Sequence, residues 1–287
     1  MQNIGLLYHP QKTEAKPLAY QVGQWLSAQQ RTVWIAPGRD DPDLLTQVAQ
    51  SDLLIVLGGD GSMLRAARLA APSQTPLLGI NLGRVGFLSE ATPTNWQNQL
   101  QELFSGNFWL EHRLMLAATC QRDNGAPINL VALNDVVIGR ATQARVVRLE
   151  LYVDGDYVTT YMADALIAAT PTGSTAYAMA AGGPLLPPQL FNFLVIPVAP
   201  HLSLDRAVVL HEKAIVTIRV LMDHDAAVTA DGQDSILLNN GDQVTISRYE
   251  HDTCLVRLGN SSYFYHRLME RFGFWHPQAS PVVPTIS

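Results

Sequence analysis

The sequence predicts an α/β domain followed by a β-rich domain, and two periodicities support this division. In residues 1–111, apolar runs such as IGLLY, TVWIA, LLIVL and PLLGI alternate with segments of helical spacing such as AYQVGQWLSAQQ. That alternation is typical of a parallel sheet covered by helices. In residues 112–260, period-two segments follow one another, among them RLELYVDGDYVTTY, KAIVTIRVLM and CLVRLG. With turn signals at Asp154-Gly155 and Asn240-Gly241, this region is predicted to consist of antiparallel strands.

The C-terminal segment returns to helical spacing. In SSYFYHRLMERFGFW, the residues Phe264, Leu268 and Phe272 recur every four positions, which predicts an amphipathic helix over residues 261–275. We expect this helix to pack back on the first domain. Residues 276–287 contain three prolines and little that can be buried, so they are predicted to form a disordered tail.

Composition narrows the classes of partner. The chain has 287 residues, 47% of them hydrophobic, and a net charge of -6 without a long run of lysine or arginine. This balance argues against nucleic acid or an anionic membrane surface as the main partner. No apolar segment is long enough to span a bilayer. We therefore expect a cytoplasmic protein that acts on small molecules.

Cysteine and histidine spacing predicts no metal site built by the protein. Cys120 and Cys254 are far apart and each lies in strand-like sequence, which fits neither a disulfide framework nor zinc-ligand spacing. We expect both to be buried free thiols. The eight histidines show no H-E-x-x-H or other close metal spacing.

A Gly-rich turn follows the predicted strand LLIVL and precedes the predicted helix MLRAARLA. Gly58 and Gly59 permit a tight exit from the strand, and Gly61 allows a ligand to approach the backbone. Exposed N–H groups at a helix N-terminus favour an anion. The spacing is not G-x-G-x-x-G and lacks the Lys-Ser/Thr ending of a P-loop, so neither common nucleotide fingerprint fits.

Asp60 stands at the centre of this turn, where a phosphate cradle would ordinarily avoid negative charge. Two interpretations are open. Asp60 caps a helix that starts near Ser62, or it orients a substrate hydroxyl and takes its proton during phosphoryl transfer.

A second constellation is ATPTGSTAYAMAAGGPL, from Ala169 to Leu185. Its hydroxyls and exposed amides suit ribose, carboxamide or phosphate groups, and Tyr177 can stack on a base. The alternative is a Ser/Thr-rich loop with a capped short helix and no ligand.

Together these stretches resemble the NAD kinase family, whose members phosphorylate the 2′-hydroxyl on the adenosine ribose of NAD. The resemblance is carried, in family order, by GGDGSMLRAAR, GINLGRVGFLSE, ALNDVVIGR, TPTGSTAYAMAAGGP, APHLSLDRAVVL and DGQ at residues 231–233, and by the closing RFGFW. It implies the NAD kinase fold, an N-terminal α/β domain and a C-terminal all-β, sandwich-like domain with the site between them. It also implies NAD and ATP or polyphosphate as substrates, Mg²⁺ carried on the donor phosphates, and a homo-oligomer, either a dimer or a tetramer.

The resemblance also implies roles for single residues. Asp60 matches the proton acceptor, and Gly58, Gly59 and Gly61 match the phosphate-donor loop. Asn134 and Asp135 match a ribose-binding Asn-Glu pair, in which aspartate keeps the carboxylate but is one methylene shorter. Met162 replaces a commonly basic residue, and Ala165 replaces a common glycine. The positions that match NAD contacts are Asp60, Gly61, Arg65, Asn134, Asp135, Arg145, Asp164, Thr175, Ala176, Tyr177, Ala178, Met179, Ala180 and Gln233.

Several alternatives stay open on the sequence alone. Asn134 and Asp135 also fit the end of a strand, Arg145 fits a solvated surface charge, and Asp231-Gly232 fits an ordinary hairpin turn. A lipid or sugar kinase would share the Gly-Gly-Asp-Gly turn. A non-catalytic dinucleotide sensor would share the binding residues, whereas a dehydrogenase is disfavoured by the missing fingerprint.

Overall fold

The computed structural model describes residues 1–39, 42–83, 86–122, 126–141, 146–201, 204–221, 226–259 and 263–271. Within these residues, three six-stranded sheets and six α-helices form the fold. Among the helices described there, none is both long enough and apolar enough to cross a bilayer.

The first sheet is mixed, with strand order β2-β1-β3-β4-β18-β5. Its first four strands are parallel, as the apolar runs predict. Helices cover both faces, with α1 and α4 over one core cluster and α2 and α3 over another. The elements are β1 (Asn3–Tyr8), α1 (Ala15–Ala28), β2 (Thr32–Pro37), α2 (Pro42–Ala49), β3 (Leu53–Gly58), α3 (Asp60–Ala70), β4 (Leu77–Asn81), α4 (Trp96–Phe104) and β5 (Trp109–Arg113).

One strand lies in a different sheet from the one that its pattern predicts. CLVRLG was grouped with the antiparallel strands, but β18 (Thr253–Arg257) belongs to the first sheet, where it pairs in parallel with β4 and antiparallel with β5. All five of its residues are buried. A strand covered on both faces is what the interior of a helix-flanked sheet requires.

Two antiparallel sheets form the β-rich part, with strand orders β10-β9-β14-β17-β6-β7 and β13-β12-β11-β8-β15-β16. Their inner faces share one core cluster, to which Leu149 contributes from the first of them and Phe193 from the second. This arrangement confirms the predicted sandwich-like region. The strands are β6 (Leu116–Gln121), β7 (Ile128–Ala132), β8 (Asp135–Arg140), β9 (Val147–Val153), β10 (Asp156–Ala163), β11 (Ala165–Ala169), β12 (Asn192–Val198), β13 (Val208–His211), β14 (Val216–Val220), β15 (Ala226–Ala230), β16 (Gln233–Leu238) and β17 (Gln243–Arg248).

The turn signals of the sequence are found where they were expected. Asp154 and Gly155 both have positive φ, 54° and 91°, as a tight hairpin turn between β9 and β10 requires. Gly241 has a φ of 90° between β16 and β17. Cys120 and Cys254 are buried free thiols, as predicted.

The C-terminal helix α6 (Tyr263–Arg271) packs on the loop that follows β4. Phe264 and Leu268 cluster with Phe87, and Arg267 donates to the Ser89 carbonyl oxygen at 2.8 Å. Phe272 and the predicted tail at 276–287 lie outside the described residues.

Candidate active site

Asp60 lies where β3 ends and α3 begins. β3 ends at Gly58, Gly59 is the N-cap with an extended φ of -126°, and Asp60 is the first helical residue. Gly59 makes no side-chain cap hydrogen bond. The alternative that Asp60 caps a helix starting near Ser62 is therefore wrong. The position at the positive end of α3 stabilises negative charge there.

The three glycines of the turn differ in what surrounds them. A Cβ on Gly58 would clash with the side chain of Ser62, whereas Cβ atoms on Gly59 and Gly61 would meet no atom of the described residues within 4 Å. Gly58 is therefore required by packing inside the protein. The open space beside the other two leaves room for a ligand.

The loop after β4 contacts Asp60 through Gly86. A Cβ on Gly86 would lie well inside 3.0 Å of both carboxylate oxygens of Asp60, closer than real Cβ atoms approach another atom. Only a residue without a side chain leaves the carboxylate in this position. Gly86 therefore helps to set where the Asp60 carboxylate lies.

A cavity of about 350 Å³ opens beside the Gly-rich turn, and we refer to it as the turn cavity. Gly59 and Gly61 form part of its wall. Arg65 lines it as well, and its guanidinium donates to the Gly38 carbonyl oxygen at 2.9 Å. The remaining lining residues are Leu7, Tyr8, His9, Pro10, Gln11, Lys12, Gly38, Val56, Ser62, Ala66, Leu69 and Gln233.

A second cavity of about 300 Å³ lies at the end of the third sheet, and we call it the β-side cavity. It is lined by Asn134, Asp135, Val137, Ala176, Tyr177, Thr229, Asp231 and Gly232. A neighbouring cavity of about 300 Å³ shares Tyr177 and includes Asp164, which pairs with Arg140 at 3.2 Å. Residues 231–233 connect the turn cavity with the β-side cavity, because Asp231 and Gly232 line the β-side cavity and Gln233 lines the turn cavity.

Asp231 holds the backbone of the Asn134-Asp135 segment. Its side chain is fully buried, and its φ of 53° matches the hairpin turn that the sequence suggested. Its carboxylate accepts hydrogen bonds from the backbone N–H groups of Leu133 at 3.1 Å and Asn134 at 2.7 Å, and a longer one from Asp135 at 3.4 Å. The turn is thus also a clamp on a strand end about a hundred residues earlier.

Arg68 joins α3 to this clamp. Its guanidinium lies 3.8 Å from the Asp231 carboxylate and donates to the Gln233 side-chain oxygen. Because Asp60 begins the same helix, Arg68 fixes the helix that carries Asp60 relative to the hairpin turn of the β-rich part.

The two neighbouring carboxyl groups, Asp135 and Asp231, both have raised pKa values. Burial first, and the negative charge of Asp231 second, raise the pKa of Asp135 to about 7. Burial also raises the pKa of Asp231, but backbone N–H donors and the charge of Arg68 oppose that rise.

The Thr-rich loop, residues 170–177, uses most of its hydroxyls internally. Thr170 donates to the Leu133 carbonyl oxygen at 2.6 Å, and Thr175 donates to that of Thr172 at 3.1 Å. Ser174 is fully buried and accepts from the Leu186 N–H at 2.9 Å. The hydroxyl density that suggested ligand donors therefore mainly shapes the loop itself.

Gly173 allows this loop to pack closely on the segment that contains Asn134 and Asp135. A Cβ on Gly173 would fall well inside 3.0 Å of the Asn134 carbonyl group. The Thr170 N–H donates to the same carbonyl oxygen at 2.9 Å. The loop and Asn134 thus hold each other in place at the rim of the β-side cavity.

Buried ion pairs connect the Thr-rich loop with the first sheet. Arg113 donates to Thr172 Oγ1 at 2.9 Å and pairs with Glu111 at 2.8 Å. Glu111 also accepts from Arg257 Nε at 2.7 Å. Glu111, Arg113 and Arg257 are each no more than 3% exposed.

The same pairs continue to the Gly86 loop, and we call the whole set the buried ion network. Arg257 pairs with Glu90 at 2.8 Å and donates to the Phe87 carbonyl oxygen at 2.9 Å. Glu90 also accepts from Arg267 of α6 at 2.7 Å. Since Phe87 follows Gly86 in the chain, the network anchors the loop that contacts Asp60.

The structure brings many of the predicted site residues to the cavities. The turn cavity takes Gly59, Gly61, Arg65 and Gln233; the β-side cavity takes Asn134, Asp135, Ala176 and Tyr177; and the neighbouring cavity takes Asp164 and Tyr177. Gly58 and Asp60 belong to the same turn as Gly59 and Gly61.

The other predicted positions are placed differently. Thr175 and Ala178 are buried, and Ala178 packs among Ile167, Leu194 and Ile196. Met179 is half-buried and Ala180 is exposed on the short helix at Tyr177–Ala180. Arg145 lies outside the described residues.

Three contributors were missed by reasoning from the sequence: Gly86, Arg68 and the clamping role of Asp231. Gly86 stands in the GINLGRVGFLSE motif and Asp231 in DGQ, so both carried a signal, but their partners are distant in sequence. Arg68 is the last residue of the GGDGSMLRAAR motif, but its partners Asp231 and Gln233 also lie far along the chain.

No protein-built metal centre is found in the part of the chain that the structure describes, because no three His, Cys, Asp or Glu side chains come together there. The buried Asp135 and Asp231 form only a pair.

Comparison with known families and proteins shows which family the chain resembles over most of its length. A family described as "ATP-NAD kinase N-terminal domain" matches residues 39–108, and one described as "ATP-NAD kinase C-terminal domain" matches residues 133–258. A protein of Heliobacterium modesticaldum named NAD kinase is 37% identical over 272 residues, which cover 92% of this chain and 96% of that protein.

Two solved structures share the fold. A yeast NADH kinase complexed with NADH superposes with a TM-score of 0.86 at 23% identity, covering 98% of this chain and 89% of the other. An NAD kinase from Archaeoglobus fulgidus in complex with ATP gives a TM-score of 0.75 at 25% identity, covering 96% and 100%.

Proposed function

The chain belongs to the NAD kinase family, and from that premise we propose that it transfers the terminal phosphoryl group of ATP or polyphosphate to the 2′-hydroxyl on the adenosine ribose of NAD. The observation that carries the proposal is the position of Asp60. Asp60 is the first residue of α3, and Gly59 and Gly61 on either side of it line a cationic cavity. Arg68 of the same helix contacts the hairpin turn at Asp231, which borders the β-side cavity with its carboxylates.

The charges of the two cavities suit the two substrates. Lys12 lines the turn cavity together with Arg65, a position that the resemblance matches to an NAD contact, and their positive charges suit the phosphates of a donor bound beside NAD. Asn134 and Asp135 line the β-side cavity, where amide and carboxylate oxygens accept hydrogen bonds from ribose hydroxyls. Tyr177, which is 44% exposed, offers a face on which a base can stack.

In the proposed reaction, Asp60 takes the proton of the 2′-hydroxyl. The 2′-oxygen forms a bond to the terminal phosphorus of the donor, and the bond from that phosphorus to its bridging oxygen breaks. The bridging oxygen leaves with the electron pair, as ADP or a shortened polyphosphate. General-base assistance of this kind contributes about 10²–10⁴ in rate, and positioning supplies much of the rest.

A divalent cation, which we propose is Mg²⁺, fits this site when it enters bound to the phosphates of the donor. Mg²⁺ keeps several waters and is commonly held by one or two carboxylates with substrate phosphates. That mode agrees with the donor set among the described residues, where Asp60 lies in the turn whose glycines line the turn cavity and no cluster of three metal ligands is present. When bound, such an ion neutralises charge on the transferring phosphoryl group.

An endpoint assay tests the function. Purified protein, Mg²⁺ and either NAD or NADH are incubated with ATP and with polyphosphate in separate reactions, and NADP(H) formed is measured. We expect product with at least one donor. Phosphorylation of lipid or sugar acceptors in place of NAD would instead favour the other kinase classes that share the turn. Binding of NAD without product would favour a dinucleotide sensor.

Gly86→Ala is expected to lower the turnover of NAD phosphorylation by about 10²-fold, because the new methyl group displaces the Asp60 carboxylate from its reactive position. The KM for NAD should change much less. Steady-state kinetics on the purified variant measure both quantities.

Gly83→Ala is the matched control in the same loop. A Cβ there meets only Asn81 Oδ1, at an ordinary 3.7 Å, so its turnover should remain near that of the unmodified protein. Equal turnover of the two variants would contradict the role of Gly86.

NAD affinity is expected to weaken about tenfold as the pH falls from 8 to 6, because the ionised fraction of a carboxyl with a pKa of about 7 falls by that factor. Only the ionised form of Asp135 accepts hydrogen bonds through both oxygens. Asp231 is the charged group that acts on it, and Arg68 in turn lies beside Asp231. Titration calorimetry at several pH values measures the effect.

Asp135→Asn should remove most of this pH dependence. The direction in which stability changes with pH follows from the same raised pKa of Asp135. Because the folded-state pKa lies above the unfolded value of 3.8, the ligand-free protein should lose stability as the pH rises from about 4 through 7. Wild-type affinity that stays constant from pH 6 to 8 would contradict the assignment.

We further propose a homo-oligomer, a dimer or a tetramer, in the cytoplasm. The family resemblance supports the assembly, and the absence of a basic run argues for small-molecule partners over nucleic acid or membranes. Light scattering on the purified protein tests the assembly, and a monomer at micromolar concentration would contradict it.

A further inference from the structure

One wall of the turn cavity is formed by residues 9–12, which follow β1 and have no role in the proposed NAD contacts. His9, Pro10, Gln11 and Lys12 all line the cavity. They lie beside the Gly-rich turn because β1 and β3 are neighbouring parallel strands, with Tyr8 opposite Leu57. The carboxyl ends of the two strands therefore open on the same edge of the sheet, where ligands of open α/β sheets bind.

Backbone hydrogen bonds hold this wall in shape. The His9 N–H donates to the Leu57 carbonyl oxygen at 2.9 Å, and the Lys12 carbonyl oxygen accepts from the Ala15 N–H at 3.1 Å. His9 Nδ1 accepts from the Gln11 N–H at 3.2 Å. A neutral ring in this state carries its proton on Nε2, which is then a donor.

The charge of the turn cavity differs from that of the other two cavities. Its described lining residues include two permanent cations, Lys12 and Arg65, and no carboxylate. The β-side cavity has Asp135 and Asp231, and in its neighbour Asp164 is paired with Arg140. A polyanion is therefore attracted more strongly to the turn cavity than to the other two.

We propose that residues 9–12 form a phosphate subsite of the donor, in which the Lys12 ammonium and His9 Nε2–H bind the phosphate chain opposite the Gly-rich turn. This inference rests on the proposed function, because it assigns the donor of that reaction to the turn cavity. The ligand class is a chain of linked phosphates, which ATP and polyphosphate share. With Arg65 on α3 and Lys12 after β1, the chain is held from two sides, and its terminal phosphorus faces the turn that carries Asp60.

The test compares Lys12→Gln with Lys12→Arg and with Lys16→Gln. Lys16 is an exposed lysine on α1, four residues further along the chain, and it does not line the turn cavity. Binding of a non-hydrolysable ATP analogue with Mg²⁺, and of polyphosphate, is measured by calorimetry without NAD. The KM values for donor and NAD are measured separately.

Lys12→Gln is expected to weaken binding of the analogue and of polyphosphate by about tenfold or more, as loss of a charge-assisted hydrogen bond predicts. Lys12→Arg should retain most of the affinity, Lys16→Gln should match the unmodified protein, and the KM for NAD should stay unchanged in all three. Weakened binding of only one donor would assign the subsite to that donor.

Unchanged binding of both donors to Lys12→Gln would overturn the subsite. A rise in the KM for NAD as large as the rise in the KM for the donor would overturn it as well. The calorimetric measurement keeps this outcome separate from failure of the proposed function. If the unmodified protein made no NADP(H) but bound the analogue in a Lys12-dependent manner, the subsite would stand and the NAD kinase activity would fall. If the unmodified protein made NADP(H) and Lys12→Gln kept full donor affinity, the NAD kinase activity would be supported and the subsite would be refuted.

Discussion

Asp60→Asn is expected to lower the turnover of NAD phosphorylation by about 10²–10⁴-fold, the range by which a positioned general base accelerates reactions. Asparagine keeps the size of the side chain and its place at the start of α3, but its amide does not take up the proton of the 2′-hydroxyl. The KM for NAD should change by less than about threefold, because the substrate is held mainly by other residues. Steady-state kinetics with saturating donor measure both quantities.

Asp43→Asn is the matched control. Asp43 is an exposed aspartate in the first turn of α2, so the same chemical change occurs at another helix N-terminus. Any effect of removing charge from a helix dipole amounts to about 1 kcal/mol of stability or less in both variants. Turnover near normal in Asp60→Asn would show that the carboxylate is not the proton acceptor.

The sequence predicted the parts of the fold that depend on local pattern. The alternation of apolar runs and helical segments indicated the parallel strands of the first sheet, and the Asp154-Gly155 turn marked a hairpin. The Gly-rich turn was predicted between a strand and a helix, and it lies between β3 and α3. Each of these features is encoded within about ten neighbouring residues.

The remaining features depend on contacts between distant parts of the chain. β18 was assigned to the wrong sheet because a short apolar strand looks the same in either environment. The buried hydroxyls of Ser174 and Thr175 look like ligand donors until their partners are known. Asp231-Gly232 reads as a turn, but its clamp on Asn134 appears only in three dimensions.

The features missed from the sequence concern how the proposed proton acceptor is held more than which residue it is. Asp60 is proposed for that role from its place in a turn of unusual charge. Gly86, which limits where the Asp60 carboxylate lies, belongs to a loop about 25 residues away along the chain and carries no chemistry of its own. Positioning residues of this kind are recognised by what a substitution would displace.

Arg257→Met is expected to destabilise the protein by about 3–5 kcal/mol, the usual cost of removing one partner from a buried ion pair. Arg257 is 1% exposed and binds Glu111, Glu90 and the Phe87 carbonyl oxygen at once. Methionine fills much of the same volume but leaves all three acceptors without this donor. Denaturant unfolding curves of the purified variant measure the loss.

Arg206→Met provides the comparison for the same side-chain change at the surface. Arg206 is 84% exposed and pairs with Asp205 at 3.4 Å, and such pairs contribute about 1 kcal/mol or less. A loss in Arg257→Met no larger than in Arg206→Met would mean that the buried ion network does not stabilise the fold.

The same substitution separates anchoring of the Gly86 loop from general stability. Arg257 holds the Phe87 carbonyl group, and the adjacent Gly86 packs on the Asp60 carboxylate. Turnover of the fraction that remains folded at low temperature should therefore fall in Arg257→Met, with the KM for NAD less affected. Full turnover in a measurably less stable variant would indicate that the network supports the fold without positioning Asp60. The two readouts together decide whether the buried ion network acts on the reaction or only on folding.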